Sequence, residues 1–107
     1  MDKLASLDLR PEDALELARI LHTALPEFEV RAFGSRVTGH AKAYSDLDLA
    51  IMTHTPLSLE RLAMIVSAFE ESDLSIRMDI VDWAAISTGF RKIIALDNLV
   101  IHARPVG

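Results

Sequence analysis

The spacing of apolar residues in the first quarter of the chain is helical. Leucine and alanine recur every three or four positions from Ala14 to Leu25, and a proline at position 11 suits the first turn of a helix. Glu12 and Asp13 place negative charge near the positive end of the helix dipole. The pattern predicts a helix over 11–25 whose apolar stripe packs on another element.

Two further helices are predicted from capping residues followed by apolar stripes. Ser58 can cap a helix that runs to about Glu71 with apolar residues on one face. Ser87 or a neighbour starts a last helix that continues through the segment FRKIIALDN, residues 90–98.

The segments between these helices have the short apolar runs of β-strands. The predicted strands are 28–33, 47–52 with Asp46 as an alternative first residue, 75–83 and 99–103. The resulting order, α-β-β-α-β-α-β, predicts an α/β or α+β domain with a single mixed β-sheet and helices packed on one face. The opposite face would then carry the polar side chains of alternate strand positions.

Composition narrows the class of protein. A chain of 107 residues with 50% hydrophobic and 25% charged residues is expected to form a single ordered domain over 1–107. A net charge of −5 argues against direct nucleic-acid binding, which needs a basic face. The absence of cysteine removes thiol chemistry and is compatible with the cytoplasm, and neither a signal peptide nor a membrane span is expected.

Three aspartates are the candidate metal ligands. Asp46 and Asp48 are one residue apart, so on a strand both carboxylates project from the same face. Such a pair repels itself unless a cation neutralises it, and Mg²⁺ is commonly held by one or two carboxylates plus substrate phosphates. Asp79, on another strand, can supply a third carboxylate, as two-metal phosphoryl or nucleotidyl transfer requires.

A glycine-serine pair next to a strand is the candidate phosphate site. Gly34 and Ser35 directly follow the first strand, where backbone N–H groups of a turn can bind an anion and glycine lets a phosphate approach closely. Arg36, Lys42 and Arg77 add positive charge nearby, although each could equally be a solvated surface base.

These residues together resemble the polymerase-β-like nucleotidyltransferase superfamily, and most closely its minimal nucleotidyltransferase (MNT) branch. The resemblance covers residues 28–103. It rests on GSRVTG at 34–39, on SDLDL at 45–49, whose Asp46 follows Ser35 by eleven residues, and on MDIVDW at 78–83.

The resemblance implies the polymerase-β-like fold and a magnesium-dependent transfer of a nucleotide. ATP would be the substrate, with two Mg²⁺ ions as cofactors, and an acceptor hydroxyl would attack the α-phosphate and expel pyrophosphate. The implied nucleotide-binding residues are Gly34, Ser35, Arg36 and Ser45. The implied metal ligands and catalytic residues are Asp46, Asp48 and Asp79.

The resemblance also implies a partner. MNT proteins are antitoxins paired with a HEPN-domain toxin, and some transfer AMP to a tyrosine hydroxyl of that toxin. Because 107 residues leave no room for the helical domain that builds an acceptor site in larger relatives, we expect a partner chain to supply it. Two alternatives stay open, namely a non-catalytic antitoxin that acts by complex formation and a small-molecule (antibiotic) nucleotidyltransferase.

Several individual residues have competing interpretations. Asp82 could cap a helix near Trp83 or compete with Asp79 as the third acid, and Tyr44 could stack on a nucleobase or pack the loop. The four histidines are scattered without metal-ligand spacing, which favours structural or surface roles.

Overall fold

The computed structural model describes residues 7–105. In chain order the elements are α1 (Pro11–Ala24), β1 (Val30–Phe33), α2 (Ser35–Thr38), β2 (Leu47–Ile51), α3 (Leu59–Glu70), β3 (Met78–Asp82), a 3₁₀ turn (Trp83–Ala85), α4 (Thr88–Leu96) and β4 (Asn98–His102). The three long helices and four strands are those expected from the sequence, and the four-residue α2 is an addition. Within the described residues, no helix is long and apolar enough to cross a membrane.

The two predicted serine caps are confirmed. The side chain of Ser58 accepts a hydrogen bond from the backbone N–H of Arg61, and that of Ser87 accepts one from the backbone N–H of Phe90. Each bond satisfies an N–H that has no partner within its own helix. The caps therefore fix where α3 and α4 begin.

The four strands form one mixed sheet in the order β3-β2-β1-β4. The central strand β1 runs antiparallel to both β2 and β4, whereas β2 and β3 are parallel. Parallel neighbours require a crossover connection, which α3 provides. The β2-α3-β3 unit thereby places the two acid-bearing strands side by side.

The main core lies between the sheet and helices α1 and α3. Its central members are fully buried, and they include Leu17 and Leu21 of α1, Ile65 of α3, and Ala32 and Leu49 of the sheet. Burying one such leucine or isoleucine side chain contributes roughly 1.5–3 kcal/mol. This core holds β1 and β2 in place beneath the candidate site.

Helix α4 departs from the expected one-sided arrangement, because it lies against the opposite face of the sheet. Phe33 pairs with Asp48 in the register and so shares its face, and the Phe33 ring meets the Phe90 ring of α4 edge-on with centroids 5.9 Å apart. Ile94 of α4 and Ala50 of β2 are buried but do not belong to the main core. The physical reason is that the Phe33 ring, on the same face as Asp48, would be exposed to water without an apolar helix packed over it.

Candidate active site

Parallel pairing of β2 and β3 brings two of the predicted acids together. Asp48 and Asp79 occupy paired positions in the register, so their side chains project from the same face. Asp46 precedes the first residue of β2 by one position and has the same parity as Asp48. All three carboxylates therefore belong to the face that α1 and α3 leave uncovered.

Within residues 7–105, Asp48 has no ion-pair partner, and its charged neighbours are other carboxylates. Burial raises the pKa of Asp48, and the negative charges of Asp79 and Asp46, together with the hydrogen bond shared with the Asp79 carboxyl, raise it further. Two carboxyl groups held against each other favour a proton or a cation between them. Since Mg²⁺ is bound by one or two carboxylates plus phosphate oxygens, the Asp48–Asp79 pair fits such an ion chemically.

The three aspartate side chains of the described structure do not converge on one point. Among residues 7–105, no three His, Cys, Asp or Glu side chains are gathered into a ready-made metal-binding group. The described structure thus assembles Asp48 with Asp79 directly and leaves Asp46 at the edge of the pair.

Gly34 is the first residue of the turn after β1, and it lies between that turn and the acid pair. Its φ is +83°, a conformation that glycine adopts at low cost, and a Cβ at this position would overlap Oδ2 of Asp48. Glycine is therefore required here for two independent reasons, and its backbone lies directly against the carboxylate.

The segment GSRVTG forms a single helical turn between two glycines. The carbonyl of Gly34 accepts hydrogen bonds from the N–H groups of Val37 (3.0 Å) and Thr38 (3.1 Å), and Gly39, at φ +85°, closes the turn by donating to the carbonyl of Ser35 at 3.1 Å. The Ser35 hydroxyl is half-buried and makes no hydrogen bond within the described part of the chain. It is left available to a ligand at the side of Gly34.

Ser45 lies in a tight turn just before Asp46. Its hydroxyl accepts a hydrogen bond from the Lys42 N–H at 2.9 Å, and its own N–H donates to the Lys42 carbonyl at 3.0 Å. Ser45 therefore closes the loop that leads into the acid pair.

Arg36 is predicted from the sequence to bind the nucleotide, and in the structure its guanidinium makes contacts within the protein. It is only 7% exposed, and all three guanidinium nitrogens donate to backbone carbonyls of the protein itself. The loop at 42–45 folds over α2 and surrounds the guanidinium with carbonyl oxygens.

Asp82 lies on the other face of β3 and has partners of its own. Its carboxylate accepts hydrogen bonds from the Thr53 hydroxyl and from the Leu57 N–H, the latter at 2.7 Å, and its side chain makes no capping bond to the 3₁₀ turn. Of the two candidates for third acid, Asp79 is thus the one beside Asp48. The alternation of MDIVDW already contained this signal, since positions 79 and 82 differ in parity.

The remaining residues singled out in the sequence, Lys42, Tyr44 and Arg77, are exposed. Lys42 and Arg77 are exposed, and their side chains form no ion pair within residues 7–105. Tyr44 is 80% exposed, which shows that its ring does not pack the loop. The contact between Phe33 and Phe90, which forms an apolar wall beside the acids, was not anticipated from the sequence.

Comparisons with known proteins show which proteins this chain is similar to. The family model described as "Polymerase beta, Nucleotidyltransferase" matches residues 16–105. A probable protein adenylyltransferase MntA from Haemophilus influenzae is 44% identical over 104 residues, which cover 97% of this chain and 91% of that protein.

Two solved structures share the fold. A toxin-antitoxin crystal structure with AMP-PNP superposes with a TM-score of 0.61 at 20% identity and covers 83% of this chain and 73% of the other. A toxin-antitoxin MntA-HpeT structure with a tyrosine-to-alanine mutation gives a TM-score of 0.65 at 19% identity, over 83% and 72% of the two chains. The family model and the 44% identical relative establish that the chain belongs to the polymerase-β nucleotidyltransferase family.

Proposed function

We propose that this protein is a magnesium-dependent adenylyltransferase that moves AMP from ATP to a tyrosine hydroxyl of a HEPN-domain toxin and thereby acts as its antitoxin. The observation that carries the proposal is the pairing of Asp48 with Asp79 beside Gly34, in a chain 44% identical to a probable protein adenylyltransferase. The toxin partner is supported by the two toxin-antitoxin structures with the same fold.

We assign a role to each residue, and its position in the structure supports the assignment. The backbone of Gly34 and the free hydroxyl of Ser35 bind the terminal phosphates, and the turn closed by Ser45 holds the connection to β2 in shape. Asp46, Asp48 and Asp79 would hold two Mg²⁺ ions, which supply charge stabilisation for the attacking and leaving oxygens. Lys42 and Arg77 add a positive field around the anionic substrate.

The transfer step is a single displacement at phosphorus. The acceptor oxygen bonds to the α-phosphorus while the bond from that phosphorus to the bridging oxygen breaks, which leaves AMP on the acceptor and releases pyrophosphate. The exposed Asp79 carboxylate takes the hydroxyl proton.

The proposal is tested by incubating the protein with Mg²⁺, the product of its neighbouring reading frame and ATP labelled either at the α- or at the γ-phosphate. AMP transfer labels the partner from α-labelled ATP only, and the label is lost when the modified tyrosine is replaced by phenylalanine. Label from γ-labelled ATP would instead indicate a kinase.

A double variant identifies the site. Asp46→Ala with Asp48→Ala is expected to abolish labelling, whereas the matched double variant Asp73→Ala with Asp97→Ala, which removes two exposed acids elsewhere, retains it. No transfer by the wild-type protein, or equal transfer by the two double variants, would refute the enzymatic proposal.

Neutralisation by binding alone is the second candidate. It is favoured by exposed apolar side chains on α4, where Ile93 is 64% and Leu96 is 80% exposed. If the Asp46/Asp48 double variant still protects cells against the toxin at normal expression, complex formation is sufficient and catalysis is secondary. A small-molecule nucleotidyltransferase would be indicated if the purified protein alone adenylylated an aminoglycoside.

A further inference from the structure

The buried guanidinium of Arg36 joins the two halves of the candidate site. Arg36 is the second residue of α2, directly after the Gly34–Ser35 turn. Its Nε and Nη2 both donate to the carbonyl of Ser45, at 3.0 and 2.8 Å. That carbonyl belongs to the peptide bond that leads into Asp46, so a single side chain ties the phosphate turn to the start of the acid-bearing strand.

The Arg36 side chain also contacts the rest of the 42–45 loop and segment 7–9. Nη2 donates to the carbonyls of Lys42 (3.3 Å) and Ala43 (3.2 Å), and Nη1 donates to the carbonyl of Asp8 at 2.7 Å. The N–H of Asp8 donates back to the carbonyl of Arg36 at 3.2 Å, and the neighbouring Leu7 is buried. Segment 7–9 is thereby held next to the guanidinium.

The chemistry of these contacts differs from that of a substrate ligand. A buried charge is costly unless it is well hydrogen-bonded, and here the positive charge is solvated by carbonyl dipoles from two chain segments. The planar fork of arginine reaches the Ser45 carbonyl with Nε and Nη2 and the Asp8 carbonyl with Nη1, which the single ammonium of lysine does not reproduce. Bidentate binding of a phosphate through this guanidinium would require breaking some of these bonds.

We propose that Arg36 is a positioning residue, which sets the Ser45–Asp46 peptide against the Gly34–Ser35 turn and does not contact the nucleotide. The effect on catalysis rests on the proposed adenylyltransferase function, whereas the effect on loop structure does not. The experiment therefore combines AMP-transfer kinetics with measurements that need no catalysis, namely hydrogen exchange and metal binding.

The test compares Arg36→Lys with Arg61→Lys as a matched control. Arg61 also donates to a backbone carbonyl, that of Ala24 at 2.9 Å, and pairs with Glu27, but it lies on α3 away from the acids. Both variants are expected to lower the thermal midpoint. Only Arg36→Lys is expected to speed amide hydrogen exchange in residues 42–46 and to weaken Mn²⁺ binding, measured by electron paramagnetic resonance, by about tenfold.

The kinetic readout separates positioning from direct binding. In the partner-labelling assay Arg36→Lys should lower kcat by about tenfold and leave KM for ATP nearly unchanged, since misplaced carboxylates affect the reaction more than nucleotide binding. A rise in KM with unchanged exchange in residues 42–46 would overturn the inference. If the wild-type protein transfers no AMP, the proposed function fails, but hydrogen exchange and Mn²⁺ binding still decide the role of Arg36.

A measurement on the unaltered protein covers the case in which Arg36→Lys does not fold. In arginine labelled with ¹⁵N, the Nε–H of Arg36 should exchange with water more slowly than that of Arg19, which pairs with Glu16 on the exposed surface of α1. Its resonance should stay in place when AMP-PNP and Mg²⁺ are added at concentrations that shift the Gly34 amide. Exchange as fast as that of Arg19, or a large shift on nucleotide addition, would refute the positioning role.

Discussion

Asp13 and Asp48 are both at least partly buried, but they have opposite kinds of neighbour. Hydrogen-bond donors surround Asp13, whereas other carboxylates lie beside Asp48. Asp13 is 2% exposed and accepts hydrogen bonds from the N–H of Ser75 (2.9 Å), the hydroxyl of Ser75 (2.5 Å) and Nε of Arg10 (3.3 Å). Burial alone would raise the pKa of Asp13, but these donors outweigh it and the pKa lies below its ordinary value.

Asp48 has carboxyl groups where Asp13 has donors. Burial and the charges of Asp79 and Asp46 raise the pKa of Asp48 above its ordinary value. An acid surrounded by hydrogen-bond donors stabilises the folded protein. An acid packed against other acids destabilises it in the absence of a ligand. The difference teaches that burial of a carboxylate does not by itself indicate function, and that the identity of its neighbours does.

The largest expected effect is on activity at Asp48. Asp48→Asn keeps the shape of the side chain and removes its charge, so AMP transfer should fall by roughly 10³-fold through lost metal-ion stabilisation. Because repulsion from Asp79 is also removed, the free energy of unfolding without divalent cations should stay level or rise by up to about 1 kcal/mol. Labelling rates and urea denaturation measure the two effects, and a clear loss of stability would contradict the comparison.

The next largest effect is expected at Gly34. Gly34→Ala places a Cβ against the Asp48 carboxylate and forces a side chain into φ +83°, so we expect a loss of about 2–3 kcal/mol in unfolding free energy and roughly a 10²-fold loss of activity. Gly39→Ala is the matched control, because it has a similar φ of +85° but no atom within 4 Å of the added Cβ.

Gly39→Ala should cost only the backbone strain, about 1–2 kcal/mol, and retain activity. Equal effects of the two substitutions on activity would mean that the contact with Asp48 is unimportant. The difference between the two glycines therefore measures how tightly the turn abuts the acid pair.

At Asp13 the expected effect is on stability alone. Asp13→Ala leaves the donors of Ser75 and Arg10 without their acceptor and should lower the unfolding free energy by about 2–3 kcal/mol, with unchanged transfer by the folded protein. Urea denaturation at neutral pH measures the loss. Glu12→Ala, which removes an exposed acid 3.8 Å from Arg10, should change stability by less than about 0.5 kcal/mol.

The two regions were predictable from the sequence to different degrees. Alternation in DLDLAI at 46–51 and in MDIVDW was sufficient to predict that Asp46, Asp48 and Asp79 lie on the face opposite the apolar residues, because strand parity is a local property. The pairing of Asp48 with Asp79 depends on the register between two strands, which local pattern does not specify but which the structure supplies.

Asp13 shows why other features could not be predicted. From its position it suits the N-terminal end of a helix dipole, yet its main partner, Ser75, is 62 residues away. The guanidinium of Arg36 is similar, since its acceptors in the 42–45 loop and at Asp8 come together only in the folded chain. Likewise, helical periodicity in α4 indicates an apolar stripe but not which sheet face receives it.

The smallest expected effect is the pH dependence of the Asp13 contribution. The pKa of Asp13 in the folded protein lies below the ordinary value of 3.8, so the unfolded chain takes up a proton at Asp13 before the folded protein does. The stabilisation by Asp13 is therefore fully present above the ordinary pKa and is lost as the pH falls through the lower, folded-state value.

Urea denaturation of the wild-type protein and Asp13→Asn between about pH 2.5 and 7 measures this dependence. The wild-type advantage should be constant near neutrality and shrink on acidification, whereas Glu12→Gln, at an exposed acid on the same helix, should show little difference from wild type. A wild-type advantage that grew as the pH fell would mean that burial, which raises the pKa, outweighs the donors at Asp13. Asp13 would then belong with Asp48, and hydrogen-bond donors could no longer be used to tell a structural acid from a functional one.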